Sequence, residues 1–247
     1  MSISVTPRLA VVIPTLNEAG NIPVLLKRLS AALEDAPVSC EFIIVDDGST
    51  DGTADVGREC AARDPRVRVF ERHGERGLAG AVIHGWAQTD ADLLGVIDAD
   101  LQHPPELLPE LIHQAINGSD IAIASRYVSG NGDSLGEWNK FRIFVSRCST
   151  LLATAPLRRR GLNVKDPLSG YFVVRRECIE ALKLQPQGFK ILLEILVKGR
   201  IRKATEVPFQ FATRQSGKSK ADFKVALHYF ALLGKLSRHA FFGQGQQ

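Results

Sequence analysis

Short apolar segments alternate with longer amphipathic ones along the first half of the chain. The apolar runs have the length of buried strands, namely Leu9–Ile13, Phe42–Val45, Val67–Phe70, Leu93–Ile97 and Ile121–Ala124. The segments between them show helical periodicity, namely Asn21–Leu33, Thr53–Arg63, Leu78–Ala87 and Pro105–Ile116. This alternation predicts an α/β fold with a mostly parallel central sheet and helices on both of its faces.

The pattern changes after residue 130. A glycine-rich stretch over 130–136 precedes an amphipathic segment, Phe141–Leu157. Further along, we predict strands over Tyr171–Val174 and Val207–Phe211 and helices over Phe189–Val197 and Ala221–Ala240. No repeat and no second core is visible, so we expect one domain over residues 1–220 and a C-terminal amphipathic, membrane-proximal segment over residues 221–247.

Composition supports a folded domain, with 45% hydrophobic and 23% charged residues. The charge is unevenly distributed: residues 1–120 carry a net charge of −10, and residues 121–247 carry +14. An acidic half suggests a cation site, and a basic half suggests phosphates or an anionic membrane surface. The basic residues are widely spread with few aromatic residues between them, so we do not expect nucleic acid as a partner.

Polar residues cluster where the predicted strands end, as ligand sites do in open α/β sheets. Asp98 and Asp100 follow Leu93–Ile97, and two carboxylates at this spacing can face one crevice. They repel each other unless a cation lies between them, and Gln102 can add a neutral oxygen. Oxygen ligands suit Mg²⁺ or Mn²⁺. The spacing therefore predicts a divalent metal site at Asp98, Asp100 and Gln102.

A second acidic cluster, Asp46-Asp47-Gly48-Ser49, ends the second predicted strand. An acidic residue there typically meets a ribose or a base edge in nucleotide-binding sheets. A simple turn with Ser49 or Asp51 as helix cap is the alternative. The dinucleotide fingerprint G-x-G-x-x-G, the Walker A motif and the hydrolase motif G-x-S-x-G are all absent.

Together, several motifs resemble an inverting GT-A glycosyltransferase of family 2, and more narrowly the dolichyl-phosphate mannosyltransferases. They occur in order from about Leu9 to Lys220. The motifs are Val12–Glu18 (VIPTLNE), Ile44–Asp51 (IVDDGSTD), Asp98–Glu106 (DADLQHPPE), Ala124–Val128 (ASRYV), Asp166–Phe172 (DPLSGYF), Gly188–Glu194 (GFKILLE) and Glu206–Phe209 (EVPF), followed by Arg214 and Gly217–Lys220.

This resemblance implies GDP-mannose as the donor and dolichyl or polyprenyl phosphate as the acceptor, with residues 1–220 as the catalytic domain. It implies catalytic roles for Asp98, Asp100 and Arg214. The implied donor contacts are Pro14, Leu16, Glu18, Val45, Asp47, Asp98, Ala99, Asp100, Lys190, Arg214 and Lys220. The implied contacts to the acceptor phosphate are Arg126, Arg142 and Ser146.

The chemistry of the acceptor agrees with this reading. A phosphate monoester is mostly ionised at neutral pH, so it can attack the anomeric carbon without a general base. The protein must then position two anions and stabilise the departing diphosphate. Two alternatives remain: a polyprenyl-phosphate glucosyltransferase using UDP-glucose, and a non-catalytic, degenerate GT-A binding module.

A polyprenyl chain stays in the bilayer, because each exposed CH₂ costs about 0.8 kcal/mol. No apolar run of about 18 residues is present. We therefore expect a cytoplasmic protein, peripheral on the cytosolic face of a membrane, bound through Phe141–Leu157 and Ala221–Phe242. The basic run Arg158–Arg160 would add attraction to anionic headgroups. A membrane-anchoring partner subunit is a further possible partner.

Overall fold

The computed structural model describes residues 6–74, 76–128, 154, 157–185 and 191–210. Its strands are β1 Arg8–Thr15, β2 Ser39–Asp46, β3 Val67–Glu71, β4 Leu93–Val96, β5 Ile121–Ser125, β6 Phe172–Arg175 and β7 Ala204–Pro208. Its helices are α1 Ile22–Ala32, α2 Thr53–Ala61, α3 Leu78–Trp86, α4 Leu108–Ile116 and α5 Ile191–Lys198, and a 3-10 turn at Pro105–Leu107 leads into α4. The α/β alternation predicted for the first half is therefore confirmed.

Seven strands of the described chain form one sheet in the order β3-β2-β1-β4-β6-β5-β7. β1 pairs in parallel with β2 and β4, and β5 pairs in parallel with β7. β6 is antiparallel to both of its neighbours, β4 and β5. Because β6 runs the opposite way, its amino end lies at the same edge of the sheet as the carboxyl ends of β4 and β5.

Side-chain alternation along the strands builds one core on each face of the sheet. Ala10 and Val12 of β1 belong to the core beneath α3 and α5. Leu9, Val11 and Ile13 belong to the core beneath α1 and α4. Fully buried strands of this kind read as continuous apolar runs, which is why they could be predicted from the sequence.

Several strand boundaries differ from the prediction, and two of the differences have a clear cause. β1 continues through Pro14 to Thr15, although the apolar run was expected to stop at the proline. The pairing of β1 with β4 ends at Val12, so the missing N–H of Pro14 removes no bond from that ladder. The predicted strand Val207–Phe211 lies instead at Ala204–Pro208, because pairing with β5 begins at Ala204.

Other predictions fall outside the described residues. These are most of Phe141–Leu157, the C-terminal helix Ala221–Ala240 and the domain boundary at residue 220. Within the described part of the chain, no helix is both long and apolar enough to cross a membrane.

Candidate active site

The sequence-predicted residues meet at one edge of the sheet. The carboxyl ends of β1, β2, β4 and β5 lead to Leu16, Asp47, Asp98 and Arg126 respectively. The amino end of β6 joins them, between β4 and β5. Ligands of open α/β sheets bind outside this edge, so the fold places the acidic and basic candidates at a position suited to a ligand.

Burial alternates along the segment that follows β4. Asp98, Asp100 and Gln102 are half-buried, whereas Ala99, Leu101 and His103 are buried. The backbone N–H of Gln102 donates to Oδ1 of Asp100 at 3.1 Å, and Leu101 has a positive φ of 59°. A buried leucine in the left-handed region is uncommon, and such backbone strain concentrates at functional sites. Asp98, Asp100 and Gln102 are thus the residues of this segment that solvent reaches.

Asp98 is closely enclosed by its neighbours. A Cβ built on Gly170 would lie 2.8 Å from Cγ of Asp98, so the carboxylate occupies space that any side chain at position 170 would need. Nδ1 of His103 lies 3.8 Å from Oδ2 of Asp98. His103 is itself packed between the rings of Tyr171 and Phe209, with centroid distances of 5.7 and 5.3 Å. These contacts fix where the Asp98 carboxylate can point.

The donor set fits a hard divalent cation. The two carboxylates and the amide, which solvent reaches, are hard oxygen donors, and the space left by Gly170 accommodates Asp98. Mg²⁺ and Mn²⁺ in phosphate-transfer sites are typically held by one or two carboxylates, with substrate phosphates completing the shell. The described residues contain no cluster of three or more His, Cys, Asp or Glu side chains suited to a metal. A metal at Asp98, Asp100 and Gln102 would need further ligands, such as the oxygens of a diphosphate.

On the other side of the edge, the loops after β1 and β2 are joined by hydrogen bonds. The N–H of Asn17 donates to Oγ of Ser49 at 2.8 Å, and the N–H of Thr50 donates to Oδ1 of Asn17 at 2.9 Å. The N–H of Ala19 donates to the carboxylate of Asp51 at 3.1 Å, which also accepts the N–H of Thr53 at the start of α2. The alternative that Ser49 or Asp51 is the N-cap of this helix is wrong, because the N-cap of α2 is Gly52 and no side chain caps it. Asp51 instead links the two loops, which adjoin the candidate donor residues.

The predicted nucleoside contacts occupy different environments. Pro14, Leu16 and Glu18 are half-buried along this loop, and the carboxylate of Glu18 accepts Nδ2 of Asn21 at 2.7 Å. The side chain of Val45, in contrast, lies fully buried in the core. Val45 is 0% exposed and paired on both sides within the sheet, so the structure does not place it at the surface where a ligand would bind.

Asp47 is only 6% exposed and is held from the opposite loop. It accepts Nη1 of Arg72 at 2.9 Å and the N–H of Gly77 at 2.8 Å. Burial raises the pKa of Asp47 above its ordinary value, although the Gly77 N–H and the Arg72 charge act in the opposite direction. Arg72 was not identified from the sequence, since a single arginine after an apolar strand carries no distinguishing signal.

The arginine at the end of β5 forms a buried ion pair. Nε and Nη2 of Arg126 each donate to the carboxylate of Asp166 at 2.7 Å, and the Arg126 backbone N–H donates to it at 3.1 Å. Asp166 is fully buried. Burial alone would lower the pKa of Arg126, but the bonds and charge of Asp166 raise it on balance, so the guanidinium stays cationic.

Several predicted site residues lie outside the described part of the chain: Arg142, Ser146, Lys190, Arg214 and Lys220. Arg160 is exposed, and it also donates to the carbonyls of Leu196 and Gly199 at 2.8 Å each. Cationic donors suit the carbonyls at a helix C-terminus, so Arg160 stabilises the end of α5. Arg158 and Arg159 are exposed.

Comparison with known proteins identifies relatives that match most of the chain. Residues 10–183 match the sequence model of the family described as glycosyl transferase family 2. A dolichol-phosphate mannosyltransferase of Pyrococcus furiosus is 41% identical over 231 residues, which cover 94% of this chain and 64% of that protein. The chain thus spans less than two thirds of that relative. A dolichol-phosphate mannosyltransferase of Saccharomyces cerevisiae is 34% identical, covering 92% of this chain and 86% of that protein.

Two further comparisons bear on the acceptor and the fold. An undecaprenyl-phosphate mannosyltransferase of Micrococcus luteus is 34% identical, covering 86% of this chain and 87% of that protein. Among solved structures, glucosyl-3-phosphoglycerate synthase of Mycobacterium tuberculosis, crystallised with Mn²⁺, UDP-glucose and phosphoglyceric acid, superposes with a TM-score of 0.70. It is 22% identical, and the match covers 93% of this chain and 79% of that one. This likeness confirms the predicted GT-A, Rossmann-like fold.

Proposed function

We propose, from the premise that this chain belongs to glycosyl transferase family 2, that it transfers mannose from GDP-mannose to a polyprenyl phosphate such as dolichyl phosphate. One observation supports this most strongly. The half-buried carboxylates after β4 and the arginine after β5 lie at the ends of strands separated only by β6. A cation site beside an anion site suits a reaction that brings a sugar diphosphate and a phosphate together. The names of the relatives support mannose as the transferred sugar and a polyprenyl phosphate as the acceptor.

In this proposal the donor lies across the ends of β1, β2 and β4. Glu18 and Asp47 are on the loops where the guanosine would bind, and Asp98, Asp100 and Gln102 would hold Mg²⁺ or Mn²⁺ near its diphosphate. When bound, the cation would offset negative charge that develops on the leaving diphosphate. Lys190, Arg214 and Lys220 are proposed as further donor contacts.

The acceptor phosphate would lie at Arg126, with Arg142 and Ser146 as further proposed contacts. An ionised phosphate oxygen attacks the anomeric carbon, the bond from that carbon to the oxygen of GDP breaks, and the configuration inverts. No proton has to leave the attacking oxygen, so a general base is not required. The main work of the protein is to align two anions, for which a fixed guanidinium fork is well suited.

The experiment that tests this proposal is transfer in detergent from radiolabelled GDP-mannose to polyprenyl phosphate with Mg²⁺ or Mn²⁺. A parallel reaction contains UDP-glucose, and a third contains a chelator. We expect mannosyl lipid and GDP in the first reaction only. A glucosyl lipid would support the alternative donor, and no product with either donor would support a non-catalytic module.

Membrane association is part of the proposal, because the acceptor lipid resides in a bilayer. We expect the protein to sediment with anionic vesicles and to be released by salt, since electrostatic attraction to headgroups is screened. Sedimentation with neutral vesicles alone would contradict the expected role of basic residues. A protein that never sediments would point to an anchoring partner subunit.

A further inference from the structure

The segment before β6 holds the arginine at the end of β5 very firmly. Asp166 is 0% exposed and accepts three bonds from Arg126, two of them from the guanidinium at 2.7 Å. A bidentate pair fixes the orientation of the guanidinium plane as well as its distance. The pair uses Nε and Nη2 of the guanidinium.

Asp166 is held in turn by a second carboxylate. Glu206 accepts the backbone N–H of Lys165 and that of Asp166, each at 2.8 Å. Glu206 lies on β7, where it pairs with Ile123 of β5. β5 is also the strand that leads to Arg126. The contacts therefore form a closed circuit, from β5 through Arg126, Asp166 and Glu206 back to β5.

We propose that Asp166 is a positioning residue for the acceptor phosphate, acting through Arg126, and that Glu206 supports it. This inference rests on the proposed function. Asp166 does not touch the substrate in this account. Asp166 holds the Arg126 side chain in one rotamer before the phosphate binds. Binding therefore costs less side-chain conformational entropy.

The placement of the two carboxylates distinguishes this role from general stabilisation. Arg126 stands at the functional edge of the sheet. Asp64 and Arg66 form a pair of the same bidentate geometry, with Nε at 3.0 Å and Nη2 at 2.7 Å, but it is more exposed and lies just before β3 at the opposite edge. Asp64→Asn is therefore a matched control for Asp166→Asn.

The test is a double-mutant cycle on steady-state transfer from GDP-mannose to polyprenyl phosphate. Wild type, Asp166→Asn, Arg126→Ala and the double variant are compared. We expect Asp166→Asn to raise the KM for polyprenyl phosphate by about tenfold or more, as loss of an orienting partner does at other sites. The KM for GDP-mannose should stay within about twofold, and so should both constants of Asp64→Asn.

The decisive comparison is between the double variant and Arg126→Ala. If Asp166 acts through Arg126, the double variant has the same acceptor KM as Arg126→Ala, within about twofold. The role assigned to Asp166 would be overturned if the effects of the two single substitutions on the acceptor KM multiplied in the double variant. It would also be overturned if Asp166→Asn raised the KM values for polyprenyl phosphate and GDP-mannose equally. A wild type that transfers no mannose would instead overturn the proposed function, and the two failures are thus distinguishable.

Removing one member of a buried ion pair is strongly destabilising. If Asp166→Asn fails to fold, a milder variant, Glu206→Gln, replaces it in the experiment. Glu206→Gln keeps one acceptor oxygen for the two N–H groups. We expect it to raise the acceptor KM selectively, by less than Asp166→Asn, and to have no further effect in the Arg126→Ala background. A Glu206→Gln effect that persists in that background would contradict the circuit.

Discussion

The carboxylate of Asp98 fills the space that a side chain on Gly170 would need. A Cβ at position 170 would lie 2.8 Å from Cγ and 3.0 Å from Oδ1 of Asp98. Gly170 precedes β6, and Asp98 follows β4, so this close approach depends on β6 entering the sheet antiparallel to β4. The position of the Asp98 carboxylate, a proposed metal ligand, thus depends on residue 170 being glycine.

Gly170→Ala should therefore displace Asp98 while leaving the fold in place. We expect kcat/KM for mannosyl transfer to fall by about 100-fold, the scale of a displacement of about 1 Å at a reacting centre. The concentration of Mg²⁺ or Mn²⁺ needed for half-maximal rate should rise. Gly20→Ala is the matched control, because nothing lies within 4 Å of its Cβ position. Equal activity of the two variants would show that Asp98 tolerates the added methyl group.

Asp100→Asn should lower turnover by roughly 100-fold or more, since it removes one anionic ligand from the proposed cation site. Its N–H contact from Gln102 can be kept by the amide oxygen of asparagine, so the turn should survive. Thermal unfolding checks the fold, and a titration of rate against metal concentration checks the assignment. Asp55→Asn, an exposed carboxylate on α2, should have no effect. Normal turnover by folded Asp100→Asn would contradict the metal site.

Asp47→Asn should weaken the donor side selectively. It breaks the pair between Asp47 and the buried guanidinium of Arg72. We expect the KM for GDP-mannose to rise by about tenfold, with the KM for polyprenyl phosphate little changed. GDP binding measured by calorimetry separates binding from turnover. A selective rise in the acceptor KM would contradict the division of the site into a β1–β2 donor side and a β5 acceptor side.

Asp51 should make the loops after β1 and β2 sensitive to acid. Desolvation opposes its ionisation, but the hydroxyl of Thr53 and the N–H groups of Ala19 and Thr53 together lower its pKa from 3.8. A carboxyl group whose pKa is lower in the folded than in the unfolded protein stabilises the fold at any pH above its unfolded pKa. This stabilisation is lost as the pH falls through the pKa of the folded protein. The contribution is no more than about 1 kcal/mol, because Asp51 is exposed.

Chemical unfolding of wild type and Asp51→Asn checks this expectation. The stability difference between them should shrink as the pH falls from about 5 to about 3. A difference that is constant over this range would show that the ionisation of Asp51 does not support the loops. Asp55→Asn again serves as the control.

The sequence predicted most of the elements because the parallel strands are buried on both faces. A short, continuous apolar run such as Phe42–Val45 is typical of a strand that is buried on both faces of a sheet, and β2 contains this run. The same property made Asp98 and Asp100 recognisable, since charged residues directly after such a run are conspicuous. The order and direction of the strands were less accessible, because an apolar run has the same appearance in either direction.

The roles of Asp166, Gly170 and Glu206 could not be predicted from the sequence, because they depend on the order and direction of the strands. Asp166 and Gly170 were noted as part of a motif, yet no role could be assigned to them without knowing that β6 lies between β4 and β5. The partners of Arg126 and Asp98 are distant in sequence, at separations that periodicity does not reveal. Glu206 was likewise quoted as a motif residue, and its function depends on β7 pairing beside β5.

The most direct test of the central claim is product formation by the wild-type protein from labelled GDP-mannose, polyprenyl phosphate and Mg²⁺ or Mn²⁺. The account predicts a lipid-linked mannose formed in equal amount with GDP, abolished by a chelator and restored by added metal. GDP-mannose that remains intact, while UDP-glucose is consumed or no sugar nucleotide reacts at all, would contradict it.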